Sequence, residues 1–188
     1  MNRRRFVASA AGAGLATLSG PWGVAAAATD DDFAFAYFGL SAEYLLADFY
    51  GKAIEAKKTD REHLNTLKTG RTYARQHAKS LTDLLVGGGT DAPTAQDFDF
   101  QWPKAVFTDG AKTLETGETI LGTLQGVYQT AAATSTEPTF RVLFASLASA
   151  SAQQVGLLRA IAGRPEAEPF PVALDLEAAS DAIDSYLG

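Results

Sequence analysis

The sequence predicts an all-α protein: a bundle of four long helices followed by a short fifth helix. Three observations predict it. Apolar residues recur at alternating spacings of three and four in four long segments, which is the pattern of amphipathic helices. Strand-like alternation is absent. Clusters of Gly, Pro and small polar residues separate the segments, so each segment ends where a helix is expected to end.

Helices 1 and 2 are predicted over about 33–58 and 59–86. Thr59, with Glu62 three residues later, has the spacing of a capping box at the start of helix 2. The glycines at 87–89 end that helix. In each helix, the residues predicted to line the face that packs in the core form a core stripe. The core stripe of helix 1 is Ala36, Leu40, Glu43, Ala47, Tyr50 and Ile54. The core stripe of helix 2 is Leu64, Leu67, Ala74, His77, Leu81 and Leu84.

The connection over 87–103 is long enough to cross the whole bundle. Helix 2 spans about 39 Å at about 1.5 Å per residue. The connection can reach about 56 Å at about 3.3 Å per residue. This length allows helices 2 and 3 to run parallel, joined by a long crossover.

Helices 3 to 5 follow the crossover. Pro103 suits the first turn of helix 3, and Gly163 with Pro165 ends helix 4. Asp175 is expected to cap the short fifth helix. The predicted core stripes are Phe107, Ala111, Leu114, Glu118, Leu121 and Tyr128, with Glu115 one step round the face; Phe140, Leu143, Leu147, Ser151, Gln154, Leu158 and Ile161; and Leu176, Ala179, Ile183 and Leu187.

The first 28 residues resemble a twin-arginine signal peptide. Arg3 and Arg4 are followed by Phe6, then by a mildly apolar, Gly-containing stretch that ends in alanines 25–28. A membrane anchor is the alternative, but the stretch is short and ends in a peptidase-type site. We expect cleavage after Ala27 or Ala28. The expected partner is the twin-arginine translocase, and the expected location is periplasmic, cell-wall-associated or secreted.

Composition disfavours or excludes several kinds of partner and site. The chain has 16 basic residues, and removal of the three at positions 3–5 leaves 13 against 22 acidic residues, a net charge of −9. Such a surface disfavours nucleic acid and anionic membranes as partners. No cysteine is present, which excludes disulfides and thiolate metal sites. No other stretch is apolar enough to span a bilayer, and the oligomeric state stays open.

Each long stripe is interrupted near its middle by polar residues. Burying a carboxylate without a partner is costly, so these residues should pair with one another or with a bound group. The interrupting residues are Glu43 in helix 1, His77 in helix 2, Glu115 or Glu118 in helix 3, and Ser151 with Gln154 in helix 4.

The chain resembles the ferritin-like superfamily, in particular the exported bacterial ferritin-like domains related to plant desiccation-associated proteins. The resemblance covers most of residues 33–165 and rests on the segments 42–45, 49–50, 77–81, 114–115 and 157–163. It implies a ferritin-like four-helix bundle over residues 29–188. Di-iron members supply one Glu from each of two helices and a Glu-x-x-His from each of the other two.

The resemblance leaves the metal site incomplete. Glu43, His77 and Glu115 match ligand positions, but Ala74, Ser151 and Gln154 occupy the other three. We expect Glu43 and Glu115 to pair with a protonated His77 and with neighbouring tyrosines.

The favoured function is a non-enzymatic structural, binding or stress-related module with no cofactor. The alternative is a residual iron or manganese site, or a ferroxidase-like oxidase, that uses Glu43, His77 and Glu115.

Overall fold

The computed structural model describes residues 27–167 and 171–187. The predicted all-α fold is confirmed. Within these ranges the α-helices are α1 (Asp30–Ala56), α2 (Leu64–Gly87), α3 (Gly110–Thr134), α4 (Pro138–Ile161) and α5 (Leu176–Ile183). Short 3₁₀ turns lie at Arg61–His63, Ala95–Asp97, Lys104–Phe107 and Asp184–Tyr186. The signal sequence predicted for residues 1–28 lies almost entirely outside the described residues.

Contacts at the two ends of α1 establish the directions of the other helices. At its start, the ring of Phe33 packs against Phe140 at the start of α4 and against Gly88 at the end of α2. Beyond its other end, the backbone of Lys58 lies against Gly110 at the start of α3. Neighbouring helices are therefore antiparallel, and α2 and α3 run parallel, as the length of their connection predicted.

The connection between α2 and α3 runs along α1 and stays packed on it. Near the start of α1, the Tyr37 hydroxyl lies 2.7 Å from Oγ1 of Thr90. Farther along, Nε1 of Trp102 donates to Oδ2 of Asp48 at 2.7 Å. Because the loop, α2 and α3 all cover α1, this helix is buried on most of its circumference.

Helix 3 begins later than predicted. Pro103 precedes the 3₁₀ turn Lys104–Phe107, and the α-helix starts only at Gly110. The side chain of Asp109 caps it by accepting from the backbone N–H of Ala111 at 2.8 Å. A proline suits the start of either kind of helix, so the sequence signal did not distinguish the two.

The capping box predicted at Thr59 and Glu62 is wrong. Thr59 is buried, and its hydroxyl makes no hydrogen bond within the described residues. A capping box forms instead between Thr29 and Asp32 at the start of α1. The predicted cap of the fifth helix is confirmed, since Asp175 accepts from the N–H of Ala178 at 2.8 Å.

The C-terminal segment closes over α3 and the crossover loop. The backbone N–H of Leu174 donates to the carbonyl of Gly126 in α3 at 3.1 Å, and Phe100 pairs with Leu187 in an isolated bridge. A side chain at position 126 would collide with the carbonyl of Val172, so this approach requires glycine. Within the described ranges, no helix is both long and apolar enough to cross a membrane.

Candidate polar site in the bundle core

The carboxylate of Glu43 in α1 is fully buried inside the bundle. Its Oε1 lies 3.1 Å from Nδ1 of His77 in α2 and accepts a hydrogen bond from the hydroxyl of Tyr128 in α3 at 3.2 Å. Oε2 has no partner among the described residues. Three helices are thus joined at one oxygen, and the prediction that Glu43 and His77 meet in the core is confirmed.

Burial dominates the electrostatics of Glu43. Loss of solvent raises the pKa of its carboxyl above the ordinary value of 4.5, and the contacts with His77 and Tyr128 only partly offset this effect. The hydrogen bonds therefore lower the free energy of the charged form, but they do not fully compensate for its loss of hydration. A carboxyl in this state holds its proton more tightly than an exposed glutamate does.

A second polar pair lies near Glu43 in the interior. The hydroxyl of Tyr50 in α1 donates to Oε1 of Gln154 in α4 at 3.2 Å. Burial, together with the charge of Glu43, raises the pKa of both Tyr50 and Tyr128 above the usual tyrosine value. Both phenols therefore stay protonated and act as hydrogen-bond donors.

Helix 4 contributes two buried polar residues that are only partly bonded. Ser151 and Gln154 are both buried, as predicted. The Ser151 hydroxyl and Nε2 of Gln154 have no hydrogen-bond partner within the described part of the chain. Buried polar groups of this kind usually have partners, which marks this face of α4 as a place where polar groups could be satisfied by a bound molecule.

Two glycines hold the tyrosines in position. A Cβ at Gly39 in α1 would lie 2.9 Å from the hydroxyl oxygen of Tyr128, and a Cβ at Gly70 in α2 would lie 2.5 Å from the ring of Tyr50. Each phenol therefore fills the space above a glycine on the adjacent helix. Any larger residue at 39 or 70 would displace a ring that belongs to the core network.

The prediction that Glu115 faces the core is wrong. Its side chain is 63% exposed, and it pairs with Lys112 at 3.3 Å on the surface of α3. Gly117 packs against Phe49 and Gly39 packs against Tyr128, so the α3 residue level with Glu43 lies near Leu124, more than two turns past Glu115. Apolar spacing alone did not fix the register of this helix against α1.

Glu118, the alternative to Glu115, does not reach the core centre either. It forms ion pairs with Arg159 at 3.7 Å and with Arg164, at the level where α4 ends. Its carboxylate is mostly shielded, with 18% of the side chain exposed. Glu118 therefore fastens the end of α4 to α3 and takes no part in the network around Glu43.

The residues in the core do not fit a di-metal centre. Such a centre needs four carboxylates and two histidines, whereas this core brings together one carboxylate and one histidine, Glu43 and His77. Ala74, at the position that the resemblance assigns to a second glutamate, is fully buried and carries no ligand atom. The oxygen of Glu43 closest to His77 is already engaged by two hydrogen bonds.

One other group of ligand-type side chains occurs in the described part of the chain. Ligand atoms of Asp60, Glu62 and His63 lie within 4.8 Å of one another just before α2. Asp60 and Glu62 are exposed, and the His63 ring is 3.4 Å from Glu62. Carboxylates at this place interact with the positive end of α2, and that end disfavours a cation.

Comparison with known protein families agrees with the fold and the arrangement of helices. The family model described as a ferritin-like domain matches residues 31–164, which cover α1 to α4 and the crossover between them. The four-helix bundle therefore defines a ferritin-like protein, and the chain belongs to the ferritin-like domain family. A search of curated proteins finds no match.

Sequence reasoning did not single out the tyrosines of the network. Tyr50 and Tyr128 both lie on the predicted core stripes, and tyrosine partners for Glu43 were expected without being named. The available signal was that a buried tyrosine hydroxyl needs a partner and that the stripes hold few acceptors. That signal becomes specific only when the register between α1 and α3 is known.

Proposed function

We propose that this ferritin-like chain is an exported, metal-free module with a non-enzymatic structural, binding or stress-related role in the cell envelope or outside the cell. The observation that carries the proposal is the ligand set of the core. One carboxylate and one imidazole meet there, and they are bonded to each other at 3.1 Å. His77 and Tyr128 both engage Oε1 of Glu43, and among the described residues no second carboxylate or imidazole lies beside this pair to complete a metal site.

The remaining ligand positions support the same proposal. Ala74 is apolar, and Ser151 and Gln154 are neutral. Four carboxylates in a core without metal would repel one another and would be poorly solvated. With a single carboxylate this repulsion is absent, and His77 and Tyr128 offset part of the cost of burying it, so the core needs no metal to separate like charges.

A residual metal-binding protein or metal-dependent oxidase is the second candidate. The proximity of Glu43 and His77 favours it, since this pair could act as two ligands for iron or manganese. The third expected ligand, Glu115, lies on the surface of α3 and pairs with Lys112. This candidate therefore requires a ligand from outside the set that the sequence suggested.

Export by the twin-arginine translocase is proposed from residues 1–28. The paired arginines at 3 and 4 and the small residues at 25–28 support it. The start of the folded domain is compatible with cleavage after Ala27 or Ala28, because the first capping contact begins at Thr29. This signal supports a periplasmic, cell-wall-associated or secreted protein, and the net charge of −9 expected for the mature chain disfavours nucleic acid as a partner.

The test is a metal analysis of protein purified without an affinity tag after export by its own signal. We expect no stoichiometric iron or manganese, no ferroxidase activity, and a melting temperature that a chelator leaves unchanged. A metal that binds only the folded state would raise that temperature. The matched control is the double variant Glu43→Gln/His77→Leu, which removes both core ligands.

Two outcomes distinguish the candidates. Two metal ions per chain that disappear in the double variant, with a chelator-sensitive melt, would establish a metal centre and overturn the proposal. A metal-free protein whose melting temperature does not change with added Fe(II) or Mn(II) would exclude the residual-site alternative.

A further inference from the structure

A small cleft opens between α2 and α4. Glu43 and His77 do not line it, but Tyr73, which does, stacks on the His77 ring. Of the neighbouring helices in the bundle, these two contact each other least. The cleft has a volume of about 230 Å³. Tyr73 and Gly70 of α2 form one wall, Leu157 and Leu158 of α4 form the other, and Tyr50 and Gln154 lie at the floor.

The walls of the cleft expose apolar surface that a folded chain normally buries. Tyr73 is 44% exposed and Leu157 is 49% exposed, and they belong to the small set of large apolar side chains that are exposed within the described residues. They face the same cavity from opposite helices. A flat, apolar group placed between them would remove both from water.

The floor of the cleft contains a hydrogen-bond donor that has no partner among the described residues. Gln154 is 4% exposed, and its Oε1 is bonded to Tyr50. Its Nε2 has no partner in the described part of the chain. Because Gln154 lines the cavity, an acceptor on a molecule bound there would satisfy this N–H.

The lining of the cleft also favours an uncharged ligand. The residues around the cavity include tyrosines, leucines, a glycine, Asn65, two threonines and Gln154, and none of them is charged. An ionic ligand would therefore lose its hydration without gaining a counter-charge. The volume admits a single ring with a short substituent, since cavities of about 150 Å³ already hold benzene.

We propose that the cleft between α2 and α4 binds a small, neutral, mostly apolar molecule, such as a monocyclic aromatic carbonyl compound, whose acceptor oxygen bonds to Nε2 of Gln154. This inference gives the binding role in the proposed function a site and a ligand class. It does not depend on whether the core holds metal. The observations that carry it are the paired exposed walls and the unpartnered amide at the floor.

The probes are acetophenone, ethylbenzene and benzoate, titrated into the exported protein and followed by the amide NMR signals of the cleft residues. Ethylbenzene matches the shape of acetophenone but lacks the acceptor, and benzoate adds a charge. We expect saturable shifts centred on Gly70, Leu157 and the Gln154 side chain. Acetophenone should bind about 2- to 10-fold more tightly than ethylbenzene and more tightly than benzoate.

Two further variants test the location and the donor. Thr69→Phe fills the cleft from α2, and it should weaken acetophenone binding by about tenfold or more. Thr72→Phe is the matched control, because Thr72 is exposed on the same helix and does not line the cavity. Gln154→Met removes the amide, and it should abolish the preference for acetophenone over ethylbenzene.

Several results would overturn the proposal. Non-saturable shifts scattered over the surface would show that no site exists. Equal binding of acetophenone and ethylbenzene to the unmodified protein would show that Gln154 does not bond to the acceptor oxygen. Equal losses in the Thr69 and Thr72 variants would place binding elsewhere. A metal-free protein that fails these tests would leave the proposed metal-free core intact, whereas a metal-loaded protein with a working cleft would refute only that core.

Discussion

Nδ1 of His77 lies 3.1 Å from Oε1 of Glu43, and this contact joins the second helix of the bundle to the first at a carboxylate with no exposed surface. The histidine side chain is 17% exposed, so the pair links the interior to the protein surface. Tyr73 stacks on the outer side of the His77 ring, with 6.5 Å between the ring centroids. The stability of the core should therefore respond to changes at either residue.

Replacement of His77 should destabilise the fold. His77→Leu removes one of the two groups that engage the Glu43 carboxyl and leaves this buried polar group with only Tyr128 as a partner. We expect a loss of about 1–3 kcal/mol in the free energy of unfolding at pH 7, measured by urea denaturation. His63→Leu is the control, because it removes the other histidine of the chain at the edge of α2. Equal losses in the two variants would show that the contact with Glu43 is not the cause.

Replacement of Glu43 should change how stability depends on pH. Since folding raises the pKa of this carboxyl, its contribution to stability is full below the ordinary value of 4.5 and is lost as pH rises through the raised value. Glu43→Gln keeps an acceptor for Tyr128 and carries no charge. Relative to wild type, the variant should therefore gain stability as pH rises above 4.5.

Thermal melts of both proteins across this pH range provide the measurement. Taking the difference between the proteins at each pH cancels the titration of carboxyls that both share. A difference that stays constant with pH would mean that Glu43 has the same pKa in the folded and unfolded chain.

The capping box at the start of α1 should stabilise the domain at neutral pH. The backbone N–H of Thr29 donates to Oδ2 of Asp32 at 2.9 Å, and the Thr136 hydroxyl donates to the same oxygen at 3.1 Å. Burial raises the pKa of Asp32, but the hydrogen bonds that its carboxylate accepts from Thr29 and Thr136 lower it overall. Its stabilising contribution is therefore present above the ordinary value of 3.8 and is lost as pH falls through the lowered value.

Asp32→Ala should cost about 0.5–2 kcal/mol at pH 7, and the cost should shrink below about pH 4. Asp31→Ala is the matched control, because Asp31 lies in the same helical turn and is exposed. Urea denaturation at pH 7 and pH 3 measures both variants. If the two aspartates behave alike, the effect comes from charge near the helix end and not from the cap.

Export should depend on the first two arginines of the signal. Arg3→Lys/Arg4→Lys should leave uncleaved precursor in the cytoplasm, because the mildly apolar stretch that follows is a poor general-secretory signal. Arg5→Lys is the control and should leave export unchanged. Cell fractionation followed by immunoblotting provides the measurement, and normal export of the double variant would exclude the twin-arginine route.

Element order and topology could be predicted from the sequence because they depend on local signals. The apolar spacing defined four long helices, and Asp175 marked the start of the fifth. The length of the connection allowed α2 and α3 to be parallel, and the contacts of α1 confirm it. The first residues of helices were predicted less accurately, because Thr59 and Pro103 have side chains that suit more than one kind of turn.

The candidate site could be predicted only in part. Glu43, His77, Ser151 and Gln154 interrupt apolar stripes, and all except the partly exposed His77 are buried. Glu115 also lies beside a stripe, yet it faces solvent. A stripe that packs on two neighbouring helices is wide, so the sequence locates its centre only to within about one residue. On a helix of 3.6 residues per turn, one residue corresponds to about 100° of rotation about the helix axis.

The sequence by itself determined the helical fold class, since periodicity and turn residues depend on neighbours along the chain. It also determined that the core would be short of metal ligands, because Ala74, Ser151 and Gln154 carry no carboxylate or imidazole wherever they point. Only the tertiary structure decided which polar groups meet. The contact of Tyr128 with Glu43 depends on the register of α3 against α1, and the cleft at Gln154 depends on the spacing of α2 from α4. Both are set by how side chains of different helices interdigitate, and no pattern within one helix specifies that packing.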